Sequence, residues 1–589
     1  MFDKERTNIE NIIRDYCSAK EIPLSGDFHW TRIPFSGEWG ISTSFFQLAA
    51  AEAKAGKKVV VPQRAAELAE SIAKHLGTPP GFSRVEGIKG YLNLYYSSAS
   101  YSRQVVDTVL ESKQDYGKGA AKNKRIMVEF SQPNTHKAIH VGHLRNMILG
   151  NSLANILEAA GFEVVRANYI GDYGKDVVKW LWNYQKNHAG EQPPEDITRW
   201  MGDLYAEATK NLEDNPQGEV EIREIFSRWD EGDEEIISLW EQTRQWSLDG
   251  FNQVYEIMNI PFERIYYESE VEKPGKKIVA DLIERGIAID ERASGGTVIV
   301  KLDELLGLQE EKYRVLVLLR SDGTALYGAW DLALAQLKFQ EYELDLSLYV
   351  VDVRQSLHFQ QVFKTLEIAG HKDIVDKVQH LPYEVVNLPG NLTMSSRDGI
   401  VVLLEDLIRE AKQRAYEVSL DRNPEIEEEI RREVADAVGL GAIKYPMLAR
   451  DNTKIATFDW ESALDFNGQT APYIQYARVR ANSILKRWEQ SLPDSSTPAH
   501  DLDATEIALI ELISRLPEEI QRAAKDFKTL HITNLAYEIA KAFNNFYNQC
   551  QVLKAEPAIR DYRLRLVLAA KYSIANLLSL LGINAPDVM

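Results

Sequence analysis

The sequence predicts an α/β protein in which a parallel-sheet core follows a small α/β domain and precedes an all-helical domain. From about residue 120 to 385, short apolar runs of strand length alternate with stretches of helical spacing. Residues 90–97 (GYLNLYYS) alternate as in a half-buried strand, and from about residue 405 the spacing is almost entirely helical. Four regions are expected, at residues 1–115, 116–385, 386–455 and 456–589.

The first two regions are predicted to hold most of the strands. Helical spacing at residues 64–76 precedes the alternating run, which indicates an appended α/β domain. The second region reads as two Rossmann-type halves separated by a helical insertion, rich in Glu and Trp, at about 176–290. Its expected strands are 125–130, 163–170, 315–320 and 346–353, with a helix beginning near Tyr327. Parallel strands joined by helices place ligands at their carboxyl ends.

The last two regions are predicted to be helical, with long amphipathic stretches at 473–488 and 564–581. Pro424 is expected to open one of the helices, because proline fits the first helical turn. The Pro- and Ser-rich residues 491–498 are interpreted as a loop inside this helical domain.

Composition indicates a soluble globular chain of several domains, with 589 residues, 44% of them hydrophobic and 26% charged. Neither an apolar run of roughly 18 residues nor a signal-peptide pattern is visible, so a cytoplasmic location without membrane contact is expected. Cys17 and Cys550 are too few for a thiolate zinc site and are expected to be inert, reduced thiols. No structural metal is therefore predicted.

The net charge of −20 argues against a nucleic-acid partner unless the cations gather on one face. The candidates for such a surface are Arg478, Arg480, Lys486, Arg487, Arg560, Arg563, Arg565 and Lys571. Each of them taken alone is better explained as part of a solvated helix face.

Residues 131–146 (SQPNTHKAIHVGHLRN) are the most informative segment, because they place His140 and His143 around Gly142 where a helix begins. Amide N–H groups at a helix start are unpaired and lie at the positive end of the helix dipole, where they stabilise phosphate oxygens. The imidazoles add donors and Lys137 adds a cation. A lone His-x-Gly-His is equally a capping pattern, but a Pro-Asn turn precedes this one and Gly-Asp-Tyr-Gly ends the next strand. The segment predicts a nucleoside triphosphate site.

Several further segments occur with this one in a fixed order. They are 128–146 (VEFSQPNTHKAIHVGHLRN), 167–174 (ANYIGDYG), 327–331 (YGAWD), 467–480 (NGQTAPYIQYARVR) and 581–589 (LGINAPDVM). Together they resemble the arginyl-tRNA synthetases, a family of class I aminoacyl-tRNA synthetases, over nearly the whole chain. The resemblance implies a class I Rossmann-type core with insertions, an N-terminal domain that contacts the tRNA elbow and a helical anticodon-binding domain.

The resemblance also implies the reaction. ATP-dependent ligation of arginine to the 3′ end of arginine tRNA proceeds through an arginyl adenylate and releases AMP and pyrophosphate, in an enzyme that is mostly monomeric. The arginine carboxylate attacks the α-phosphate in line, so positioning and charge stabilisation suffice. His140, His143 and Lys137 are implied to stabilise phosphate charge, Gly142 to let the adenine approach the backbone, and Mg²⁺ to bridge the leaving phosphates. The tRNA 2′-hydroxyl then takes the arginyl group, and bound tRNA is expected to be needed for activation.

The second class I signature, commonly Lys-Met-Ser-Lys-Ser, is altered in this chain. Its counterpart is 391–400 (NLTMSSRDGI), in which Met394, Ser395 and Arg397 are expected to bind ATP. Ser396 stands where the second lysine belongs, so the cation that grips pyrophosphate is missing or displaced. Many arginyl enzymes share such a departure and are thought to compensate with a lysine before the first signature. Lys137 occupies that position.

Arginine specificity requires planar, charged acceptors in a pocket with little water. The resemblance assigns this role to Glu129, Asn134, Tyr327, Asp331 and Gln355. Tyr327 and Asp331 are four residues apart, which places both on one helix face. Two carboxylates without a cation raise each other's pKa, so a cationic ligand is their natural partner. Ordinary exposed acids remain the alternative.

The tRNA contacts are implied by the same resemblance. The candidates are Tyr91, Asn93, Tyr473, Gln475, Tyr476 and Arg480. The first two match residues that read an unpaired base of the tRNA elbow, and the others lie where anticodon bases are bound by stacking and hydrogen bonds. The alternative is that these side chains are the sheet's and the helices' own packing residues.

Two other functions remain open from the sequence. A nucleotidyltransferase that does not bind RNA also uses a His-x-Gly-His turn, although it has no need of a helical C-terminal domain or an arginine pocket. A non-catalytic RNA-binding relative is conceivable because the second signature is altered. The intact histidines and Lys137 argue against it.

Overall fold

The computed structural model describes residues 3–24, 26–213, 215–388, 392–393, 403–494 and 497–589. The chain forms two compact units. The first unit comprises Met1–Tyr116, Ala477–Leu516 and Glu538–Asn576, and the second comprises Gly117–Tyr476, Pro517–Tyr537 and Leu577–Met589.

The strands and helices are numbered in chain order. The strands are β1 (Thr31–Arg32), β2 (Gly40–Ser44), β3 (Phe82–Ile88), β4 (Tyr91–Tyr96), β5 (Arg125–Glu129), β6 (Glu163–Ile170), β7 (Arg264–Tyr267), β8 (Ile289–Asp290), β9 (Val298–Lys301), β10 (Val315–Leu319), β11 (Leu346–Asp352), β12 (Val378–Tyr383), β13 (Val386–Leu388), β14 (Leu392–Thr393) and β15 (Ala456–Thr457). The helices are α1 (Asp3–Ala19), α2 (Phe46–Lys54), α3 (Val61–Leu76), α4 (Ser98–Ser112), α5 (Val141–Ala159), α6 (Lys175–Asn187), α7 (Ile197–Leu212), α8 (Pro216–Asp230), α9 (Glu234–Met258), α10 (Glu268–Glu284), α11 (Leu302–Leu305), α12 (Tyr327–Glu341), α13 (Ser356–Ile368), α14 (Lys372–Val375), α15 (Leu404–Arg422), α16 (Glu428–Leu448), α17 (Trp460–Ala463), α18 (Ala471–Lys486), α19 (Ala504–Asp526), α20 (Leu530–Gln549) and α21 (Pro557–Leu580).

The first unit contains an antiparallel sheet with the strand order β1-β2-β4-β3. Strand β4 confirms the predicted alternation, because Leu92 and Leu94 are fully buried while Tyr91 and Asn93 lie on the opposite face. The predicted helix at 64–76 is also present, within α3. The predicted mixture of helices and strands is therefore present in residues 1–116, within a compact unit that also includes Ala477–Leu516 and Glu538–Asn576.

The second unit is built on a parallel five-stranded sheet with the order β12-β11-β5-β6-β7. The α/β fold with a parallel core is thus confirmed, and three of the four predicted strands belong to it. The prediction for residues 315–320 is wrong in one respect, because β10 pairs antiparallel with β9 in a separate small sheet. A short apolar run reveals that a strand is buried, but not which strand it pairs with.

The predicted insertion at 176–290 is helical in α6 to α9 but does not extend as far as expected. Strand β7 lies inside that range and is the edge strand of the parallel sheet, beside β6. Helices α6 to α9 pack around buried aromatic rings, among them Trp180, Trp182 and Trp229. The tryptophan-rich composition therefore reflects the insertion's own core.

The later part of the chain is helical, as predicted, although Pro424 does not open a helix. It follows the end of α15 at Arg422, and α16 begins only at Glu428. The guanidinium of buried Arg431 donates to the Pro424 carbonyl, which stabilises this turn. Among the described helices, none is both long enough and apolar enough to cross a membrane. Cys17 and Cys550 are free and buried thiols.

Candidate active site

The two signature histidines cap helix α5 reciprocally. The Gly142 amide donates to His140 Nδ1 at 3.0 Å, and the His140 amide donates to His143 Nδ1 at 3.2 Å. Burial lowers the pKa of both imidazoles, that of His143 well below its ordinary value, so both rings are neutral at pH 7. A neutral ring that accepts at Nδ1 carries its hydrogen on Nε2. Both Nε2 atoms are therefore fixed as donors, with ring centres 4.0 Å apart.

This capping bears on two expectations for Gly142, namely that its amide is free to bind a phosphate and that a glycine is present to let adenine approach the backbone. The Gly142 amide is not free for a phosphate, because it is already bonded to the His140 ring. A Cβ at Gly142 would lie 2.6 Å from His140 Cε1, so glycine is needed here to seat that imidazole. The imidazole Nε2–H groups, rather than the Gly142 amide, are thus the donors that this turn presents.

The loop before the helix, residues 131–136, is strained and held by buried hydrogen bonds. Ser131, Gln132 and His136 have φ angles of 81°, 53° and 62°, in the left-handed region that non-glycine residues rarely adopt. Their amides donate to buried side-chain oxygens, namely those of Asn146 at 2.7 Å, Asn168 at 3.0 Å and Ser247 at 2.9 Å. The conformation of the signature loop is thus fixed by residues of α5, β6 and α9.

His136 is a functional-loop residue that the sequence reasoning did not single out. It is fully buried, and its Nδ1 and Nε2 lie 2.9 and 2.8 Å from the hydroxyls of Thr135 and Thr243. Burial, aided by Arg244, lowers its pKa to about 3, so the ring is neutral. It links the signature loop to α9.

Lys137 lies on the same loop and is already paired. Its Nζ is 2.5 Å from Asp176 Oδ2 and 4.9 Å from the centre of the Tyr205 ring. Burial opposes the ionisation of Asp176, but the charge and hydrogen bond of Lys137 lower the pKa of this carboxyl. A phosphate that recruits Lys137 must therefore compete with Asp176.

A cavity of about 820 Å³ opens beside the carboxyl ends of β5 and β6. Asn134 and Tyr327, both predicted to bind arginine, lie in its wall, as does Asp176. Its charged lining consists of Asp176, Asp230, Glu231, Glu268, Asp322, Lys175, Arg223 and Arg320. Gly171 has to be glycine, because a Cβ would lie 2.2 Å from Asn134 Oδ1 and 3.4 Å from Glu268 Cδ.

The sequence reasoning missed all five acidic residues of this lining, and Glu268, at the start of α10, is the one buried among them. It is only 6% exposed, and the Tyr173 amide hydrogen-bonds to it. Burial, together with the charges of Asp172 and Asp331, raises its pKa well above the ordinary value. Asp172 has its own partners, since Arg244 lies 2.7 Å away and Ser269 donates to it through both amide and hydroxyl. No spacing signal links Glu268 to the signature, so only the fold reveals it.

Asp331 follows Tyr327 by one turn of α12, as predicted, and contacts His358 of α13. His358 Nε2 lies 2.5 Å from Asp331 Oδ2. Gln355 is exposed and immediately precedes α13, so it lies one turn before His358. Burial, together with the charges of Glu268, Asp331, Glu129 and Asp172, raises the pKa of the Tyr169 hydroxyl well above its ordinary value.

Glu129 does not line the cavity. It is 2% exposed, forms an ion pair with fully buried Lys338 and accepts a hydrogen bond from Gln132 Nε2 at 2.8 Å. Lys338 also lies 3.8 Å from the centre of the Tyr349 ring. The charge of Glu129 is therefore already balanced, and its direct contact with arginine stays a prediction.

The six tRNA candidates differ in their surroundings. Tyr91 is 48% exposed and packs edge-on against Phe46, while Asn93 accepts a hydrogen bond from Ser42. Tyr476 is 39% exposed. Gln475 is a correction, because it is fully buried and its amide donates to the Ala437 and Asn584 carbonyls, so it packs the interior instead of facing RNA.

The remaining tRNA candidates contact other aromatic rings. The Tyr473 ring lies 5.5 Å from that of Tyr537, and Arg480 lies over the Tyr547 ring at 4.8 Å. Of the predicted cationic surface, Arg563 and Arg565 pair with Glu506 and Asp107. The ATP candidates Met394, Ser395 and Arg397 lie outside the described residues.

Comparisons with known proteins agree with this geometry. The family model "tRNA synthetases class I (R), catalytic domain" matches residues 105–460, and "DALR anticodon binding domain" matches residues 474–589. The arginine–tRNA ligase of Clostridium perfringens is 34% identical and the alignment covers 100% of this chain and 97% of that protein. The arginyl-tRNA synthetase structure from Thermus thermophilus is 27% identical, with a TM-score of 0.76 over 99% of this chain and 100% of the other. The chain therefore belongs to the class I arginyl-tRNA synthetases.

Proposed function

We propose that the cavity and the signature turn of the second unit activate arginine with ATP, the first step of arginine–tRNA ligation. The observation that carries this is the acidic cavity against the loop of residues 131–136, which leads into the start of α5, where His140 and His143 present two fixed Nε2–H donors. Asn134 and Thr135 belong to both the cavity wall and that loop. Such a site binds a cationic amino acid next to a polyanionic nucleotide.

Arginine is the substrate that the cavity chemistry supports. Glu268 lines the cavity, and Asp331 lies one helical turn after the lining residue Tyr327. The two carboxylates repel each other when both are charged, and a guanidinium removes that repulsion while offering five N–H donors. Tyr327 adds a hydroxyl on the wall. Asn134, Gln355 and Glu129 are proposed, from the family resemblance, to complete the pocket.

ATP is proposed to bind at the signature turn. His140 and His143 donate through Nε2 to phosphate oxygens and stabilise the charge that grows as the arginine carboxylate attacks the α-phosphate. Lys137, once it leaves Asp176, offsets charge on the leaving pyrophosphate. Met394, Ser395 and Arg397 are proposed to cover the nucleotide. Mg²⁺, which prefers phosphate oxygens, is proposed to accompany ATP.

The second step is proposed to transfer the arginyl group to the terminal 2′-hydroxyl of arginine tRNA. Tyr91 and Asn93 lie on the outward face of their sheet, which supports contact with an unpaired base. Tyr473, Tyr476 and Arg480 are proposed to contact the anticodon arm. We also propose, from the family resemblance, that activation requires bound tRNA and that the enzyme is monomeric.

Arginine-dependent exchange of pyrophosphate into ATP, with and without arginine tRNA, tests the proposed site. We expect Glu268→Gln to raise KM for arginine by at least tenfold, because it removes one charge-assisted contact. Glu284→Gln is the matched control, since Glu284 is an exposed acid at the far end of the same helix. Exchange stimulated by another amino acid, or unchanged kinetics for Glu268→Gln, contradicts the assignment.

A further inference from the structure

His358 sits where a cation is needed when the arginine site is empty. Its Nε2 is 2.5 Å from Asp331 Oδ2, and the two side chains are 24% and 18% exposed. Burial raises the pKa of Glu268 and of Tyr169, and the charge of Asp331 contributes to both shifts. An acidic site of this kind is destabilised without a positive charge, and His358 is the positive group in contact with Asp331.

Two further titratable groups of the described residues near His358 are paired or neutral. His380 of β12 is bonded to the Val351 carbonyl, and burial lowers its pKa, so it stays uncharged near pH 7. Asp352, at the end of β11, forms an ion pair with Arg354. Asp331 of α12 is therefore the group that governs the charge of His358.

We propose that His358 is a positioning residue whose imidazolium neutralises Asp331 in the empty site, and that the arginine guanidinium replaces this charge, so that arginine binding releases a proton from His358. The proposal rests on arginine binding at Asp331. Burial alone favours the neutral ring, but the hydrogen bond and charge of Asp331 raise the pKa of His358 above its ordinary value in the empty site. A guanidinium beside Asp331 removes that stabilisation and adds a like charge, so the proton leaves to solvent.

The sign of the pH dependence follows from this linkage. The empty site binds the proton more tightly than the arginine complex does, so raising the pH favours the complex. Between the two His358 pKa values, the Kd for arginine falls by up to tenfold for each pH unit. Above the pKa of the empty site, the Kd becomes independent of pH. A histidine that only packs against Asp331 produces no such profile.

Isothermal titration of the full chain with L-arginine tests the proposal, between pH 6 and 8, in buffers that differ in ionisation enthalpy. For the wild-type protein we expect release of up to one proton and a Kd that falls as pH rises. His358→Gln, which keeps a hydrogen-bond donor without a titrating charge, is expected to abolish both. His188→Gln is the matched control, because His188 is likewise paired with carboxylates but belongs to the helical insertion.

The outcomes separate this inference from the proposed function. If arginine does not bind, the proposed function fails. If arginine binds without proton release in the wild type, or if release persists in His358→Gln, the inference is overturned while the proposed function stands. Should His358→Gln fold poorly, the NMR titration of the wild-type His358 ring with and without arginine decides, since an unchanged pKa refutes the inference.

Discussion

The reciprocal capping of His140 and His143 allows the structural and catalytic roles of one imidazole to be separated by substitution. In His143→Asn, Oδ1 replaces Nδ1 and still accepts from the His140 amide, but no donor remains at the position of Nε2. In His143→Gln, the amide nitrogen reaches the position of Nε2 only when the side chain leaves the His140 amide, so the donor is kept only where the cap is lost. His143→Asn therefore removes the phosphate donor and keeps the cap. His143→Gln instead keeps a donor where it loses the cap.

The magnitudes differ enough to be measured. Loss of a helix cap costs about 1 kcal/mol of stability. Loss of one preorganised donor to developing negative charge lowers kcat by about 10² to 10³. We therefore expect His143→Asn to unfold near the wild-type temperature but to lose about 10² or more in kcat for pyrophosphate exchange. His143→Gln is expected to keep more activity, whereas His143→Ala, which has no acceptor for the His140 amide, is expected to lose about 1 kcal/mol of stability.

Steady-state exchange kinetics and thermal unfolding followed by circular dichroism check both variants. The reasoning is refuted if His143→Asn retains wild-type kcat, because the Nε2–H group then contributes nothing to the transition state. It is equally refuted if His143→Asn unfolds as early as His143→Ala, since an acceptor at the position of Nδ1 then does not cap the helix.

Three further predictions concern the charged groups around the site. Replacing Lys137 with Met is expected to slow adenylate formation at least tenfold in single-turnover measurements while leaving the Kd for arginine within about twofold. Lys186→Met serves as the control, because Lys186 is likewise paired with a carboxylate and lies over an aromatic ring but does not line the cavity. A weakened Kd for arginine in Lys137→Met instead contradicts the phosphate role. Asp331→Ala is expected to cost at least about 2 kcal/mol in arginine-dependent kcat/KM, and unchanged kinetics remove it from the pocket. Lys338→Met leaves a buried carboxylate unpaired and is expected to lower the free energy of unfolding by about 3 to 5 kcal/mol in urea titrations. Adding Glu129→Gln to Lys338→Met should restore most of that loss, and a double variant as unstable as the single one refutes the pairing.

The parts of the site that the sequence predicts are those encoded locally. The turn at His140 and His143, and the i, i+4 spacing of Tyr327 and Asp331, depend on contacts within one or two helical turns, and both are found where expected. Glu268 escaped prediction because it reaches the cavity from the residue after β7, a strand that short-range patterns had assigned to the insertion.

The errors also have physical causes. Gln475 lies in a helix that resembles an RNA-binding segment, but its burial depends on carbonyls at Ala437 and Asn584 that are distant in sequence. Strand β10 was assigned to the parallel sheet because its apolar composition fits either sheet equally well. In each case, the deciding partner lies far along the chain.

Helix α9 of the helical insertion stabilises the strained signature loop, so the insertion contributes to the site. Each left-handed non-glycine residue costs on the order of 1 to 3 kcal/mol, and residues 131–136 contain three of them. The bonds that offset this strain come partly from Ser247 and Thr243 of α9, at the His136 amide and ring. A displacement of α9 therefore removes support from the loop that carries Asn134 and Lys137. Helix α9 also ends at Met258, whose carbonyl is bound by buried Lys444 together with that of Gly582. Lys444 of α16 thus links the end of α9 to Gly582, while the signature loop is bonded to the middle of the same helix.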